Sequence, residues 1–214
     1  MLKRPAFHVD MQACTGCRTC VMACIDRNDL PEGILYRRVV EYSGGTCSRN
    51  ADGTFAQDVF AYHLSIACNH CQNPICVRSC PTGAMRKDEH GIVSVDAKLC
   101  VGCRYCEWGC PYCAPQFDAK AGRMTKCDLC RDLLEQGQPP ACVSACPNRA
   151  LHFGEYEDLA SMFGEFEVVA PLPDRAITQP NLLVTPARNA RPSGSRSGCI
   201  RAAAHPGTPR NDTT

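Results

Sequence analysis

The chain has 214 residues, among them 19 Cys, 16 Gly and 16 Pro, but only 7 Phe, 6 Tyr and 1 Trp. So few large side chains predict a thin packed core, and something else must hold the chain together. Lys and Arg (23) nearly balance Asp and Glu (22), so the chain lacks the excess of positive charge that would indicate binding to nucleic acid or to an anionic membrane. No apolar run approaches the roughly 18 residues of a membrane-spanning helix.

The cysteines are predicted to bind metal rather than to form disulfides. An odd number of cysteines cannot pair completely within one chain. The first residues, Met1–Ala6, lack the long apolar segment of a secretory signal. We therefore expect the chain to begin in the cytosol, where thiols are kept reduced.

Most of the cysteines form four groups of four. In chain order, the groups are Cys14, Cys17, Cys20 and Cys24; Cys68, Cys71, Cys76 and Cys80; Cys100, Cys103, Cys106 and Cys110; and Cys127, Cys130, Cys142 and Cys146. The first and third groups have the C-x2-C-x2-C-x3-C spacing of bacterial ferredoxins, in which three thiolates bind one [4Fe-4S] cluster and the fourth binds the other cluster of a pair. The 16 grouped thiolates therefore predict four [4Fe-4S] clusters. Structural zinc uses two separated Cys pairs without a third Cys at the same interval, so a zinc-stapled module is the weaker alternative.

Secondary structure is predicted to be sparse. In chain order, the pattern predicts a helical turn at 17–24, strands at 35–42 and 59–65 within an insertion at 25–67, a hairpin of 84–86 and 92–95 around the turn 87–91, a helical turn at 103–110, and short helices at 128–136 and 157–163. The stretch from Val168 to Pro186 is apolar and Pro-rich without periodicity, so it is expected either to wrap a partner or to pack on its own domain. The polar tail after 191 is expected to be disordered.

Two internal repeats indicate that two kinds of cluster-binding half are each used twice. The segment Val9–Cys20 recurs as Val95–Cys106, and the segment Pro74–Ala84 recurs as Pro140–Ala150. The predicted hairpin joins the second and third cysteine groups into one continuous two-cluster module, which makes the first and fourth groups an outer pair. Pairing the first group with the second and the third with the fourth would also give every cluster four cysteine ligands. The continuous inner module favours the nested arrangement.

Five motifs, together with the four cysteine groups, connect the chain to a known family. They are Cys14–Cys17, Cys68–Cys71, Gly102–Cys106, Met124–Asp128 and Val169–Pro173. From about residue 7 to about 194 the chain resembles the four-cluster electron-transfer subunits of the dimethyl sulfoxide reductase family, among the iron–sulfur subunits of molybdopterin oxidoreductases. This resemblance implies an α+β fold of two bacterial-ferredoxin-like modules, the second inserted in the first, with an extended C-terminal arm.

The resemblance and the spacing together give a division of the chain into five parts. They are the first half of the outer module with its insertion at 1–67, the inner module at 68–115, the second half of the outer module at 116–155, an extended partner-binding arm at 156–190, and a disordered tail at 191–214.

The resemblance also implies which cysteines bind each cluster. The first cluster site takes Cys14, Cys17, Cys20 and Cys146; the second takes Cys127, Cys130, Cys142 and Cys24; the third takes Cys68, Cys71, Cys76 and Cys110; and the fourth takes Cys100, Cys103, Cys106 and Cys80. Nitrate reductase relatives carry Trp at the position of Cys103, so this residue favours four cubanes and the sulfoxide branch. Outside the groups, Cys47 and Cys199 are expected to be incidental thiols and Cys113 a small buried side chain.

Other residues beside the ligands have two interpretations each. Positive charge at Arg18, Arg104 and Lys126 favours a reduced cluster, unless these side chains are solvated surface cations. Trp108 is expected in the core rather than as an electron relay. His70 is expected to be a satisfied turn residue, with donation to a cluster sulfur as the alternative.

The function implied by the resemblance is electron transfer in anaerobic respiration. A membrane anchor oxidises a quinol, and the clusters relay its electrons to a molybdopterin catalytic subunit that reduces dimethyl sulfoxide or a related S- or N-oxide. The chain has no predicted catalytic residue of its own. The complex is expected on the periplasmic face of the membrane through co-export with the catalytic subunit, with the cytoplasmic face still open. The alternatives are a subunit of another molybdoenzyme, such as polysulfide reductase, thiosulfate reductase or formate dehydrogenase, or a free polyferredoxin.

Overall fold

The structure is a computed structural model that describes residues 2–164 and 169–202. Up to the inner hairpin, its elements are β1 (Pro5–Asp10), α1 (Thr19–Asn28), β2 (Arg38–Gly44), β3 (Cys47–Arg49), β4 (Phe55–Gln57), β5 (Phe60–Ile66), α2 (Ile75–Arg78), β6 (Met85–Lys87) and β7 (Val93–Val95). They continue with α3 (Tyr105–Gly109), β8 (Gln116–Asp118), β9 (Arg123–Thr125), α4 (Arg131–Glu135), α5 (Ala141–Ser144), β10 (Leu151–Glu155), α6 (Tyr156–Phe163), a 3₁₀ turn at Arg175–Ile177, β11 (Leu182–Thr185) and β12 (Gly198–Ala202).

The first sheet joins segments from both ends of the chain in the order β10–β1–β11. Strand β1 runs antiparallel to β10 and parallel to β11. Phe7, Val9 and Leu183 are buried in this sheet. Five of the six residues of β1 are buried, so its sequence shows no alternation, and this is why the sequence predicted no strand there.

The second sheet contains the two strands that were expected in the insertion. Its order is β12–β2–β5, and both pairs are antiparallel. The two predicted strands, β2 and β5, begin within three residues of the predicted bounds. Tyr42, Tyr62 and Leu64 from this sheet share one hydrophobic cluster with Phe7 and Val9 from the first sheet. The core is therefore fuller than the low aromatic content suggested.

The described part of the tail after 191 differs from the expected disorder. Strand β12 pairs with β2, with Ile200 opposite Tyr42. The Tyr42 hydroxyl also donates to the Ser195 carbonyl oxygen over 2.8 Å. An edge strand can pair through its backbone whatever the polarity of the added segment, so composition alone did not predict this strand. The expected disorder from 203 onward falls outside the described residues.

Three two-stranded hairpins complete the β structure. The predicted inner hairpin is present as β6–β7, with Met85 opposite Val95. The hairpins β3–β4 and β8–β9 were not predicted. All six residues of β3 and β4 are exposed, so this hairpin projects from the insertion and buries little of its own surface.

The helices are short and pack in two pairs, α1 against α5 and α2 against α3. The predicted turns at 17 and 103 begin two residues later as helices, because Arg18 and Arg104 adopt left-handed backbone conformations at the N-caps. Helix α4 begins at Arg131 rather than 128, since Leu129 and Cys130 also have positive φ. Helix α6 agrees with the predicted helix at 157–163.

The stretch from 169 to 190 lies on the chain itself. Leu172, Leu182 and Val184 are buried in the main hydrophobic cluster. The Tyr62 hydroxyl donates to the Ala170 carbonyl oxygen over 2.9 Å, which ties the segment to β5. These contacts match the second expectation, a segment packed on its own domain; a partner-binding role stays a prediction, and Val168 falls outside the described residues. Within the described ranges, no helix is both long enough and apolar enough to cross a bilayer.

Candidate metal centres

The first and third cysteine groups lie on turns with the same backbone conformation. The glycine before the second Cys of each group has positive φ, 74° at Gly16 and 68° at Gly102. A Cβ at Gly16 would lie 2.4 Å from Cδ2 of His63, and one at Gly102 would lie 2.6 Å from the Gly122 carbonyl oxygen. Glycine is therefore required at both positions for conformation and for space. The turn presents two thiols before the following helix begins, and the third thiol, Cys20 or Cys106, is the second residue of that helix.

The second and fourth groups also share a turn, although their sequences differ between the first two cysteines. His70 has φ of 41° and Leu129 has φ of 65°, and each precedes the second Cys of its group. The peptide N–H of Leu129 donates to Sγ of Cys127 at 3.4 Å. The two-fold use of each kind of half, inferred from the repeats, thus extends to the backbone.

At the first cluster site, three local thiols meet one from the fourth cysteine group. Cys14, Cys17, Cys20 and Cys146 line one small cavity. The packing of α1 against α5 brings these segments together. The peptide N–H of Ala150 donates to Sγ of Cys146 at 3.3 Å.

The fourth cluster site repeats this arrangement in the other module. Cys80, Cys100, Cys103 and Cys106 line one small cavity. The peptide N–H groups of Met85 and Met124 donate to Sγ of Cys80 and Cys100, each at 3.4 Å. Such N–H···S bonds stabilise negative charge on the sulfur and raise the potential of a bound cluster.

The second and third sites are deeper in the molecule. Burial raises the pKa of Cys24 to about 12, and the nearby Cys142 and Cys130 thiolates add to the rise. Burial also raises the pKa of Cys71 and Cys76 to about 12, and both lie near Cys68 and Cys110. These thiols are protonated at neutral pH without metal, so binding of iron must displace their protons.

Two thiols at the first and fourth cluster sites have lowered pKa values instead. Hydrogen bonds from Thr19 lower the pKa of Cys17, which is exposed. At Cys80, burial would raise the pKa, but hydrogen bonds from Met85 and Thr82 outweigh it and the pKa is lowered. The first and fourth sites therefore each hold one thiol that ionises more readily than the deeply buried Cys24, Cys71 and Cys76.

The donor chemistry of these sites fits [4Fe-4S] clusters. Two cavities are each lined by four cysteine sulfurs, which is the complete ligand set of a cubane. Most of the other side chains around the cavity of the fourth cluster site are apolar, including Val95, Val101 and Met124. Within residues 2–164 and 169–202, no three His, Cys, Asp or Glu side chains converge on a point where a single metal ion would be held.

The cations near the ligands divide into exposed and buried ones. Arg18 and Arg104 are exposed, which matches the expectation of solvated surface cations. Lys126 is only 4% exposed, and its Nζ donates to the carbonyl oxygens of Val93 and Cys127. Burial would lower the pKa of Lys126, but the thiolates of Cys68, Cys127 and Cys76 outweigh burial and raise it. Lys126 is therefore a fixed internal charge beside two cluster sites.

Sequence reasoning did not single out Arg37, the second buried cation. Arg37 is 1% exposed and lies between the first and second sites. Arg37 and Arg38 form a polar pair at the start of a predicted strand, which on its own is typical of a solvated edge. The only sequence signal for burial of Arg37 was its alternation with the apolar residues of β2. This run of residues is too short to decide between a buried and an exposed side chain.

His70 is a turn residue, as expected, but its ring is not satisfied, because only one of its ring nitrogens has a hydrogen-bond partner among the described residues. Its Nδ1 accepts from the Val93 peptide N–H at 2.9 Å. Burial, together with Lys126 and Lys87, holds the pKa of His70 well below its ordinary value, so the ring is neutral. Nε2 is buried and has no hydrogen-bond partner among the described residues. With Nδ1 accepting, Nε2 carries the proton and is the available donor.

Two expectations about single residues are wrong. Trp108 is 70% exposed instead of lying in the core, because α3 has only five residues and buries only Cys106. Cys113 is exposed instead of buried, because it lies in the loop between α3 and β8, where its φ is 49°. Cys47 and Cys199 are exposed as well.

The sequence matches the model of the 4Fe-4S dicluster domain over residues 59–156. The fold and the thiol sites thus define an iron–sulfur protein of ferredoxin-like type. The protein is 49% identical to the B subunit of anaerobic dimethyl sulfoxide reductase from Haemophilus influenzae, with 93% of this chain and 97% of the relative covered. The identity is 47% to the Escherichia coli protein of the same name, covering 94% and 97%, and 38% to the B subunit of polysulfide reductase from Wolinella succinogenes, covering 87% and 96%.

The protein belongs to the family of iron–sulfur electron-transfer subunits of dimethyl sulfoxide reductase and related molybdoenzymes. The resemblance inferred from the cysteine motifs is therefore confirmed, and so is the presence of a 4Fe-4S ferredoxin-like domain. The number of clusters, the ligands of each and the nested arrangement stay predictions.

Proposed function

We propose that the chain carries four [4Fe-4S] clusters and relays electrons from a quinol-oxidising membrane anchor to a molybdopterin catalytic subunit that reduces dimethyl sulfoxide or a related S- or N-oxide. Bound clusters would supply one-electron transfer. The protein itself supplies the ligands, excludes water from the second and third cluster sites and places fixed charges beside them. The relatives named as B subunits of dimethyl sulfoxide reductase support this substrate over polysulfide, since their identity to this chain is higher.

The observation that carries the proposal is the exchange of distant cysteines between groups. Cys146 shares a cavity with the first group, and Cys80 shares one with the third. Ligand exchange of this kind is the hallmark of paired ferredoxin clusters. It supports a nested arrangement, in which 68–115 forms the inner module and the first and fourth groups form the outer one.

Side-chain contacts support a linear order of the four sites. Arg37 is the shared neighbour of the first and second sites. Lys126 is the shared neighbour of the second and third. Cys76 of the third site and Cys106 of the fourth lie in one small hydrophobic cluster with Met85. Electrons would thus pass from one end of the row of sites to the other through two buried inner clusters.

The two ends of this order are the parts nearest to the surface. Cys17 of the first site and Cys103 of the fourth are exposed, whereas all four cysteines of the second site are buried. Around the fourth site lies an apolar patch formed by Leu99 (45% exposed), Val101 (67%), Tyr105 (52%) and Trp108 (70%). Such a cluster on a surface marks a contact site. The proposal assigns this fourth-site patch to the membrane anchor and the first-site end to the catalytic subunit.

Co-purification with iron analysis tests the proposal. The native complex, isolated anaerobically, should contain a molybdopterin subunit and a membrane subunit with this chain, and about sixteen irons per copy of it. Reduction of dimethyl sulfoxide by a quinol should depend on the chain, and polysulfide should be the poorer substrate. A colourless protein, or one that transfers electrons fully without partner subunits, would rule the proposal out. Membrane fractionation with protease protection would test the proposed periplasmic location.

A further inference from the structure

Arg37 is a buried guanidinium that has no carboxylate partner among residues 2–164 and 169–202. Its Nη1 donates to the hydroxyl oxygen of Ser65 at 3.3 Å and to the Ser65 carbonyl oxygen at 3.5 Å. Its Cζ lies 4.4 Å from the centroid of the Phe7 ring. Nε and Nη2 are buried and have no hydrogen-bond partner in the part of the chain that the structure describes. A buried charge with two empty donors is strongly unfavourable unless negative charge lies nearby.

In the described ranges, the groups beside Arg37 that can carry negative charge are the cysteine sulfurs. On one side, the Ser65 hydroxyl lies 3.4 Å from Sγ of Cys20, a ligand of the first site, so that Arg37, Ser65 and Cys20 form a continuous hydrogen-bonded line. On the other side, a backbone hydrogen bond from Arg37 acts on the thiol of Cys24, a ligand of the second site. Burial would lower the pKa of Arg37, but the negative charge of Cys142 and the other nearby thiolates outweighs the effect of burial and raises the pKa.

We propose that Arg37 is a positioning residue, a buried cation shared by the first and second clusters, which raises the reduction potential of both and orients the Ser65 hydroxyl toward Cys20. The inference rests on the ligand sets of the proposed function. A cubane held by four thiolates is anionic and gains one further negative charge on reduction. A fixed cation in a medium of low dielectric constant stabilises the reduced form more than the oxidised form.

Arg37 differs from the other cation at the first site in the solvation of its charge. Arg18 stands next to Cys17 but is exposed, so water and salt screen its charge. Arg37 is nearly free of solvent and cannot lose its charge by deprotonation at ordinary pH. Of two arginines beside one cluster site, the buried one should therefore dominate its potential.

Redox titration followed by electron paramagnetic resonance tests the inference on the assembled complex. In Arg37→Gln, two of the four clusters should lose at least a factor of ten in the equilibrium constant for reduction, where each factor of ten corresponds to about 59 mV for one electron. The other two clusters should not move. Arg37→Lys keeps the charge and should show a smaller loss. Ser65→Ala removes the line to Cys20 and should lower one cluster only.

Arg18→Gln is the matched control, because it removes the same charge from an exposed position, and it should shift no cluster by a factor of ten. Unchanged potentials in Arg37→Gln with full iron content would overturn the inference and leave the proposed function standing. If Arg37→Gln loses iron, Ser65→Ala decides: a shift of one cluster supports the inference, and no shift overturns it. Fewer than four clusters in the unaltered protein would instead count against the proposed function itself.

Discussion

Asn181 donates from its side-chain amide to the backbone carbonyl oxygen of His70 over 2.8 Å, and so joins the C-terminal segment to the turn of the second cysteine group. Its Oδ1 accepts from Arg4 Nε and from Gln72 Nε2, each at 3.0 Å. Its peptide N–H donates to the Asn69 carbonyl oxygen at 3.1 Å. One buried residue therefore ties together the N-terminal strand, the C-terminal segment and the turn that carries Cys71.

Replacing Asn181 with Leu should destabilise the cluster-loaded protein by about 3 kcal/mol, because the buried His70 carbonyl oxygen and two half-buried donors, Arg4 Nε and Gln72 Nε2, lose their partner. For a protein of this size that loss corresponds to a fall in Tm of roughly 6–12 °C. Calorimetry or loss of visible absorbance on heating measures it. Asn50→Ala removes an exposed hydrogen bond to Thr54 and should leave the Tm nearly unchanged. Equal melting of the two variants would contradict the assigned role of Asn181.

Gly102→Ala should remove the fourth cluster and with it about a quarter of the iron. The added Cβ would lie 2.6 Å from the Gly122 carbonyl oxygen, and the residue would be held at positive φ. Gly83→Ala is the matched control, since Gly83 also has positive φ, 67°, but nothing described lies within 4 Å of an added Cβ. Iron and sulfide analysis of the two purified variants distinguishes them. Loss of the same cluster from both would show that backbone conformation alone, rather than space, controls the turn.

The sequence could predict the cysteine turns because the geometry of a cluster acts over a few residues. The spacing within Cys100–Cys110 and the repeat of Val9–Cys20 depend on local conformation alone. The inner hairpin and strands β2 and β5 were predicted for the same reason, because alternation of apolar and polar residues is a pattern of neighbouring positions. Local rules were therefore enough to indicate the family and the candidate ligands.

Long-range pairing is where prediction failed. Strand β1 pairs with β10 and β11, more than a hundred residues away, and no local pattern encodes that choice. The burial of Arg37 and the exposure of Trp108 likewise depend on which elements pack together. A charged side chain between two anionic sites is stable inside the protein, whereas a short helix at the surface leaves even an indole exposed.

Trp108→Ala should weaken binding of the membrane anchor by about thirtyfold, because aromatic residues at the centre of a contact carry much of its affinity. Trp108 is 70% exposed and its ring centroid lies 5.6 Å from that of Tyr105, so the two aromatic rings are neighbours in the fourth-site patch. Phe55→Ala is the control, since Phe55 is 68% exposed on the projecting hairpin. Titration of the solubilised anchor with the cluster-loaded protein gives the Kd values. Equal Kd for both variants would place the anchor elsewhere.

Acidification should destabilise the protein through His8. Burial, with help from His152 and against Asp10, lowers the pKa of His8 to about 4, so the folded protein keeps this ring neutral in acid. The ring stacks on Phe163 at 3.8 Å and bonds Thr185 through Nε2. Between pH 6.5 and 4 the unfolded state binds a proton that the folded state does not, so stability falls as pH falls through this window.

From pH 7.5 to pH 5, this linkage amounts to about 2 kcal/mol, or roughly 4–8 °C in Tm. Clusters are themselves sensitive to acid, so the comparison is with His8→Gln, which cannot titrate in this range. The difference in Tm between the two proteins should shift by that amount in favour of His8→Gln as the pH is lowered. Parallel Tm curves for the two proteins between about pH 7.5 and 5 would mean that His8 does not remain neutral in the folded state, and its stacked, buried position would then have to open in acid.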